Sequence, residues 1–82
     1  MNNLEKLKDK FVQALGLDAN EVTDDLSYDN NEKWDSMRHM ELVTLIEETF
    51  NIMMDTDDII DMSSFAKAME ILKEKYDVDI NT

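Results

Sequence analysis

The sequence predicts an all-α fold, a small four-helix bundle made of three main helices and one short helix. Apolar residues recur at spacings of three and four in three segments, which is the pattern of helices with one buried face. The chain contains no proline and one glycine, and no segment alternates polar and apolar residues long enough to indicate a strand. Each apolar stripe is one face wide, so the helices are expected to pack on one another.

The first helix is predicted over about residues 3–15 and is followed by a long acidic loop over residues 17–35. Four apolar residues share one face of this helix: Leu4, Leu7, Phe11 and Leu15. Gly16 stands where a left-handed C-terminal cap belongs. The loop is rich in turn-forming Asp and Asn, and its apolar residues are expected to hold it against the core. These residues are Val22, Leu26, Tyr28 and Trp34.

The second helix is predicted from Ser36 to Phe50, a short third helix near residues 57–61, and a fourth helix capped by Ser63 or Ser64. The second helix carries an apolar stripe of Leu42, Leu45, Ile46 and Phe50. The fourth presents Phe65, Ala68, Met69, Leu72 and Tyr76 on one face. Residues 77–82 are predicted to form a frayed tail. The chain is therefore expected to be one domain over residues 1–82, ordered over about 3–76.

Composition excludes several classes of function. Among 82 residues there are 20 acidic and 8 basic ones, which gives a formal net charge of −12. Such a surface repels nucleic acids and anionic membranes and attracts basic patches on partner proteins. No apolar run approaches the ~18 residues of a membrane span. We expect a cytoplasmic monomer. There is no cysteine and only one histidine, so neither a thiol nucleophile nor a His-rich metal site is expected.

The junction between the loop and the second helix suits a modified serine. Asp35 can cap the helix, because its carboxylate can accept hydrogen bonds from free N–H groups of the first turn. Ser36 then lies on the first turn with its hydroxyl free to point outward. A phosphate ester there would lie near the positive end of the helix dipole. The same two residues also begin many ordinary helices, and the residues alone leave both interpretations open.

Asp35-Ser36-Met37, followed by Glu41-Leu42, resembles the D-S-[LM]-x-x-x-E-L signature of acyl and peptidyl carrier proteins. The resemblance extends over nearly the whole chain, because the helices and the acidic loop follow the family's order. It implies that Ser36 carries a 4'-phosphopantetheine arm, donated by coenzyme A through a phosphopantetheinyl transferase. It also implies a carrier that is not itself an enzyme and has no catalytic residues. The arm would hold an acyl or aminoacyl group as a thioester, loaded by a ligase and delivered to a transferase or synthase.

In that family the second and third helices dock partner enzymes. Residues 35–61 contain eight acidic residues and one basic residue, so basic partner surfaces are expected to meet them. The resemblance implies docking roles for Met37, Arg38, Met40, Glu41, Glu47, Glu48, Asp57 and Asp58. For any single carboxylate the simpler interpretation is a solvated face. Core filling fits Met40 as well as docking does.

Some residues depart from the pattern of fatty-acid-synthase carriers. Lys33 and Trp34 replace small or aliphatic residues before the serine, and Arg38-His39 replaces acidic or polar residues after it. These departures resemble stand-alone carriers of specialised pathways, such as those that load amino acids or modify cell-surface sugars. A housekeeping role in fatty-acid synthesis is the alternative. Trp34 can also simply cover the end of the core, and His39 is expected to be an exposed helix residue.

Several interpretations stay open or fail on spacing. An EF-hand loop beginning at Asp55 would place Ile60 at the sixth position and Ala66 at the twelfth, where glycine and glutamate are needed, so it fails. Weak divalent-ion binding to the acidic face remains possible. Four methionines are expected in the core or in a cargo cleft: Met53, Met54, Met62 and Met69. Six further residues could line such a cleft but are expected in an ordinary core: Leu42, Leu45, Ile46, Ile59, Ile60 and Phe65. An unmodified acidic helical adaptor shares every feature except the use of Ser36.

Overall fold

The computed structural model describes residues 2–80. They form four α-helices, which are α1 (Asn3–Leu15), α2 (Ser36–Phe50), α3 (Thr56–Asp61) and α4 (Phe65–Lys75). Two short 3-10 turns, Ala19–Glu21 and Tyr28–Asn30, lie in the loop between α1 and α2. Within residues 2–80 there is no strand, only an isolated antiparallel bridge between Ser27 and Ser64. The predicted all-α fold with three main helices and one short helix is confirmed.

The helices begin and end at capping residues. The Asn2 side chain accepts a hydrogen bond from the Glu5 N–H (2.8 Å) at the start of α1, and the Ser64 hydroxyl accepts one from the Lys67 N–H (3.0 Å) at the start of α4. Gly16 ends α1 at φ 67°, a left-handed conformation that costs glycine little, and its N–H donates to the Val12 carbonyl (2.9 Å). The caps predicted at Gly16 and Ser64 are therefore confirmed.

The core is centred on three aromatic rings. The ring of Phe11 on α1 packs edge-to-face on Trp34 in the loop and on Phe65 on α4, with centroid distances of 5.4 and 5.0 Å. Aliphatic residues from three helices surround these rings and are fully buried: Leu7, Leu15, Leu42, Ile46 and Leu72. The stripes predicted on α1, α2 and α4 thus meet in one core.

The long loop is held to the core as predicted. Val22, Leu26 and Trp34 are buried. The Phe65 N–H donates to the Leu26 carbonyl (3.0 Å), so the loop is also attached through its backbone to the start of α4. Tyr28 differs from the prediction because it keeps 38% of its surface exposed. This loop therefore brings one partly exposed aromatic side chain close to the start of α2.

The prediction of a frayed tail is wrong for residues 77–80. Ile80 is buried, and the Val78 N–H donates to the Leu72 carbonyl (2.9 Å). The Asn3 amide nitrogen donates to the Asp79 carbonyl (2.8 Å), which joins this segment to the start of α1. Burial of one apolar side chain therefore orders a segment that has no regular structure. Residues 81 and 82 lie outside the described part of the chain. No helix of residues 2–80 has the length and apolar character to cross a bilayer.

Candidate functional site

Ser36 is the first residue of α2 and is exposed. Asp35 caps the helix as predicted, because its carboxylate accepts a hydrogen bond from the Arg38 N–H (2.9 Å). This cap holds Ser36 on the first turn, where the leading N–H groups have no carbonyl partners within the helix. The Ser36 Oγ lies 3.3 Å from the phenolic oxygen of Tyr28. The hydroxyl therefore stands outside the core at the positive end of the α2 dipole.

A cavity of about 450 Å³ opens beside Ser36, between α2, α3 and the Tyr28–Asn30 turn. Met40 and Ile60 lie at its exposed side, with 51% and 71% of their surfaces accessible, and Met62 is fully buried behind them. Tyr28 and His39 also line it. The Ser36 hydroxyl thus stands at the edge of a mainly apolar space.

His39 links the loop to α3, and the prediction that it is an exposed helix residue is wrong. Its Nδ1 accepts a hydrogen bond from the Trp34 Nε1–H (2.9 Å), and the two rings stack with a centroid distance of 5.9 Å. Because an indole N–H can only donate, Nδ1 carries no proton and Nε2 carries the ring proton. Nε2 lies 2.7 Å from the Ile59 carbonyl and donates to it. Trp34 covers the end of the core with its N–H bonded, as expected.

Arg38 stabilises the end of α1. Its Nη1 donates to the Leu15 carbonyl (3.0 Å), and the Lys33 Nζ donates to the Gly16 carbonyl (3.3 Å). Two cations from outside α1 therefore satisfy carbonyl groups at the negative end of its dipole. Arg38 is exposed, so its predicted docking role stays a prediction, and this contact gives its guanidinium a further role within the fold.

A family model described as "Phosphopantetheine attachment site" matches residues 5–72, which is most of the chain. The chain belongs to this family of carrier proteins. It is similar to the acyl carrier protein of Guillardia theta, with 34% identity over 71 residues, which are 87% of this chain and 88% of that protein. It is also similar to the acyl carrier protein of Petrotoga mobilis (strain DSM 10674 / SJ95), with 28% identity over 75 residues, 92% of this chain and 88% of the relative.

The prosthetic group of this carrier family is 4'-phosphopantetheine. The start of α2 fits such a group on three counts. The Ser36 hydroxyl is exposed and can form an ester, the helix start favours a phosphate, and the adjacent cavity offers apolar surface to an attached chain. The resemblance inferred from Asp35-Ser36-Met37 is thus confirmed at the level of the family and its cofactor.

The acidic residues predicted to dock partners divide into two groups. Glu41, Glu48 and Asp57 are exposed. Glu47 is half-buried, and its carboxylate accepts a hydrogen bond from the Met54 N–H (2.9 Å) in the loop after α2. Glu47 therefore holds the loop that leads to α3. Only the first group presents its charge freely to solvent.

Asp58 is not a surface docking residue, and that prediction is wrong. It is 3% exposed and accepts hydrogen bonds from the Lys75 Nζ (2.7 Å) and the Tyr76 phenol (2.6 Å). The bond from Lys75, and after it the bond from Tyr76, hold the pKa of Asp58 below its ordinary value despite burial. The bond to Asp58 raises the pKa of Lys75. Burial, followed by the bond to Asp58, raises the pKa of Tyr76.

The methionines also divide. Met37 and Met40 are exposed on α2, which excludes core filling for Met40. Met53 is 87% exposed, so placing it in the core or a cleft was wrong, whereas Met54 and Met62 are buried as expected. Leu42, Ile46 and Phe65 are core residues as expected, whereas Ile60 is 71% exposed and borders the cavity. Across residues 2–80 no three His, Asp or Glu side chains are grouped so that they could hold a metal ion.

Proposed function

We propose that Ser36 is the residue that bears 4'-phosphopantetheine, and that the protein holds an acyl or aminoacyl group as a thioester on this arm and delivers it to partner enzymes. The observation that carries this proposal is the exposed Ser36 hydroxyl on the first turn of α2, inside the region matched by the family model. In this proposal the protein is a carrier and does not catalyse the reactions of its cargo.

The residues around Ser36 have separate tasks in this proposal. Asp35 keeps Ser36 on the first turn through its bond to the Arg38 N–H. The start of α2 offers N–H groups and a positive dipole end to the phosphate. When bound, the prosthetic group supplies the thiol that forms the thioester, which this chain cannot do because it has no cysteine. Tethering then raises the effective concentration of the cargo at a docked enzyme.

Intact-protein mass spectrometry after incubation with coenzyme A and a phosphopantetheinyl transferase tests this assignment. The wild type is expected to gain one phosphopantetheine, and Ser36→Ala none. Ser63→Ala is the matched control, because Ser63 is also exposed and borders the same cavity. It should be modified like the wild type. An addition that survives Ser36→Ala would refute attachment at Ser36, and no addition to the wild type would leave an unmodified helical adaptor.

We propose further that the exposed acids Glu41, Glu48 and Asp57, together with Met37 and Met40, form the surface that docks the transferase, a loading ligase and a downstream transferase or synthase. Exposed carboxylates on α2 and α3 would meet basic partner surfaces, and exposed methionines adapt to different apolar surfaces. In this surface, charge sets mainly the association rate and the orientation of the complex.

Titration of the transferase against charge-reversed variants at two salt concentrations tests the docking surface. Glu41→Lys is expected to weaken binding several-fold at low salt and less at high salt, because salt screens exposed charges. Glu74→Lys makes the same change of charge on exposed Glu74 of α4 and should bind nearly like the wild type. Equal weakening by both variants, or binding insensitive to salt, would contradict docking through this surface.

We also propose that the cargo belongs to a specialised pathway rather than to general fatty-acid synthesis. This proposal rests on the departures from the pattern of fatty-acid-synthase carriers around Ser36, and two of the departing residues, Trp34 and His39, form a hydrogen-bonded link between the loop and α3. Loading of the phosphopantetheine form by aminoacyl-activating ligases and by a malonyl transferase of fatty-acid synthesis can be compared. Efficient malonyl loading without aminoacyl loading would favour the housekeeping role instead.

A further inference from the structure

Tyr28 is held so that its hydroxyl faces Ser36. Its N–H donates to the Ser63 carbonyl (2.8 Å), which fixes the backbone at the start of the Tyr28–Asn30 turn. Its ring packs edge-to-face on Trp34 and on His39, with centroid distances of 6.1 and 6.2 Å. The phenolic oxygen lies 3.3 Å from the Ser36 Oγ. The ring is therefore supported by its neighbours, and its polar end is directed to the modifiable hydroxyl.

We propose that Tyr28 is a positioning residue for the prosthetic group, donating a hydrogen bond from its phenol to the phosphodiester formed on Ser36. This inference rests on the proposed attachment at Ser36. In the unmodified protein either hydroxyl can be the donor, and 3.3 Å is long for a bond between two hydroxyl groups. Once Ser36 is esterified, its oxygen has no hydrogen left to donate, so the phenol becomes the donor.

The local charges favour a bond from Tyr28. A phosphodiester carries a negative charge, and Asp29 borders the same cavity while Asp35 precedes Ser36. The Arg38 guanidinium donates to the Leu15 carbonyl at the end of α1. The phenol and the start of α2 therefore supply the donors for the phosphate. A bond to an anionic acceptor is shorter and stronger than one between neutral hydroxyls.

The position of Tyr28 also determines on which side of Ser36 its phenol would hold the phosphate. Tyr28 lines the cavity beside Ser36, whereas Met37 is 84% exposed. A phosphate held by the phenol would lie on the cavity side of Ser36. Tyr28 would thereby bias the first segment of the arm toward the cavity and restrict its rotation about the serine.

Phosphorus-31 NMR of the phosphopantetheinylated protein tests this role. In the wild type the resonance of the folded protein is expected to differ from that of the same protein unfolded in urea. Tyr28→Phe keeps the ring and removes the donor, and it should reduce this offset by roughly half or more, because a charge-assisted bond is lost. Met37→Leu is the control, since Met37 also neighbours Ser36 but its side chain has no donor, and it should leave the offset unchanged. An offset in Tyr28→Phe equal to that of the wild type overturns the proposal.

A second measurement needs no variant. Nuclear Overhauser effects are expected in the wild-type phosphopantetheine form between the Tyr28 ring protons and the pantetheine methylene that is bonded to the phosphate ester oxygen. Contacts of that methylene with Met37 alone would overturn the inference. Failure of the inference about Tyr28 can be distinguished from failure of the proposed function. A protein that gains phosphopantetheine only when Ser36 is present can still show no influence of Tyr28 on the phosphate.

Discussion

The two tyrosines of this chain lie near opposite ends of α3, and their hydroxyl groups differ in how fully they are hydrogen-bonded. The Tyr76 hydroxyl donates to Asp58 (2.6 Å) and accepts from the Asp55 N–H (2.8 Å), while Lys75 donates to the same carboxylate. Among residues 2–80 the Tyr28 hydroxyl makes one hydrogen-bond contact, a long one of 3.3 Å with the Ser36 Oγ. One cluster closes the start of α3 against α4, and the other borders the open cavity beside α2.

The difference shows which polar groups serve stability and which remain available. In the cluster of Asp58, Lys75 and Tyr76, charged partners are joined by short bonds around a buried carboxylate, and removing one partner leaves another unpaired. Around Ser36 the hydroxyls keep spare bonding capacity and face solvent. The attachment site proposed at Ser36 needs such capacity, because the incoming group must find partners that the fold has not already used.

The largest effect on stability is expected at Trp34, which is buried beside the cavity residues Tyr28 and His39. Trp34 is 2% exposed, packs on Phe11 and donates to His39, so Trp34→Ala should lower the free energy of unfolding by about 3–5 kcal/mol. Trp34→Phe keeps part of the packing but leaves the His39 Nδ1 without its donor, and should cost about 1–3 kcal/mol. Urea denaturation measures both. If both variants unfolded like the wild type, the exposed site would not depend on this buried support.

A comparison of the two tyrosines should give the next largest effect. Tyr76→Phe removes a bond to a charged carboxylate and is expected to lower the free energy of unfolding by about 2 kcal/mol. Tyr28→Phe in the unmodified protein should change it by less than about 0.5 kcal/mol, because its hydroxyl is exposed and makes one long contact. Chemical denaturation of both variants under identical conditions decides between them. Equal losses of unfolding free energy would mean that the hydroxyl of Tyr28 contributes as much to stability as that of Tyr76.

The smallest expected effect is a dependence of stability on acid pH that arises from the cluster of Asp58, Lys75 and Tyr76. The pKa of Asp58 is lower in the folded protein than its ordinary value of 3.8, so its stabilising contribution is complete above that value. The contribution is lost as the pH falls through the lower folded pKa. The difference in melting temperature between the wild type and Asp58→Asn should therefore shrink as the pH falls below about 4.

Asp57→Asn is the matched control, since Asp57 is the exposed neighbour of Asp58. Its melting temperature should follow that of the wild type through the same pH range. A constant difference for Asp58→Asn between pH 6 and strong acid would contradict the stabilising role of the ionised Asp58 carboxylate.

Local patterns predicted the helices and their caps well. The stripes of α1, α2 and α4, the left-handed end at Gly16 and the Asp35 cap follow from spacings of a few residues, which short-range physics governs. The position of Ser36 on the first turn of α2 follows from the same cap. The charged residues were less predictable. Asp57 and Asp58 are neighbours with the same side chain, yet one is exposed and the other buried.

Three contacts that the sequence did not predict share a physical cause. Arg38 contacts the Leu15 carbonyl 23 residues away, His39 the Ile59 carbonyl 20 residues away, and Asp58 the Tyr76 hydroxyl 18 residues away. Each contact joins elements whose relative placement depends on the packing of the whole core. No periodicity within one segment carries that information, and the same applies to Ile80, which is buried in a segment without regular structure.

The sequence by itself determined an acidic helical carrier with a serine at the start of its second helix, because helix periodicity, capping and the motif around Ser36 are local properties. Tertiary structure alone decided which polar groups are engaged. It assigned Arg38, His39, Glu47 and Asp58 to contacts within the fold and placed Tyr28 beside Ser36. The physical reason is that a hydrogen bond between distant segments forms only where the packed core brings donor and acceptor within about 3 Å.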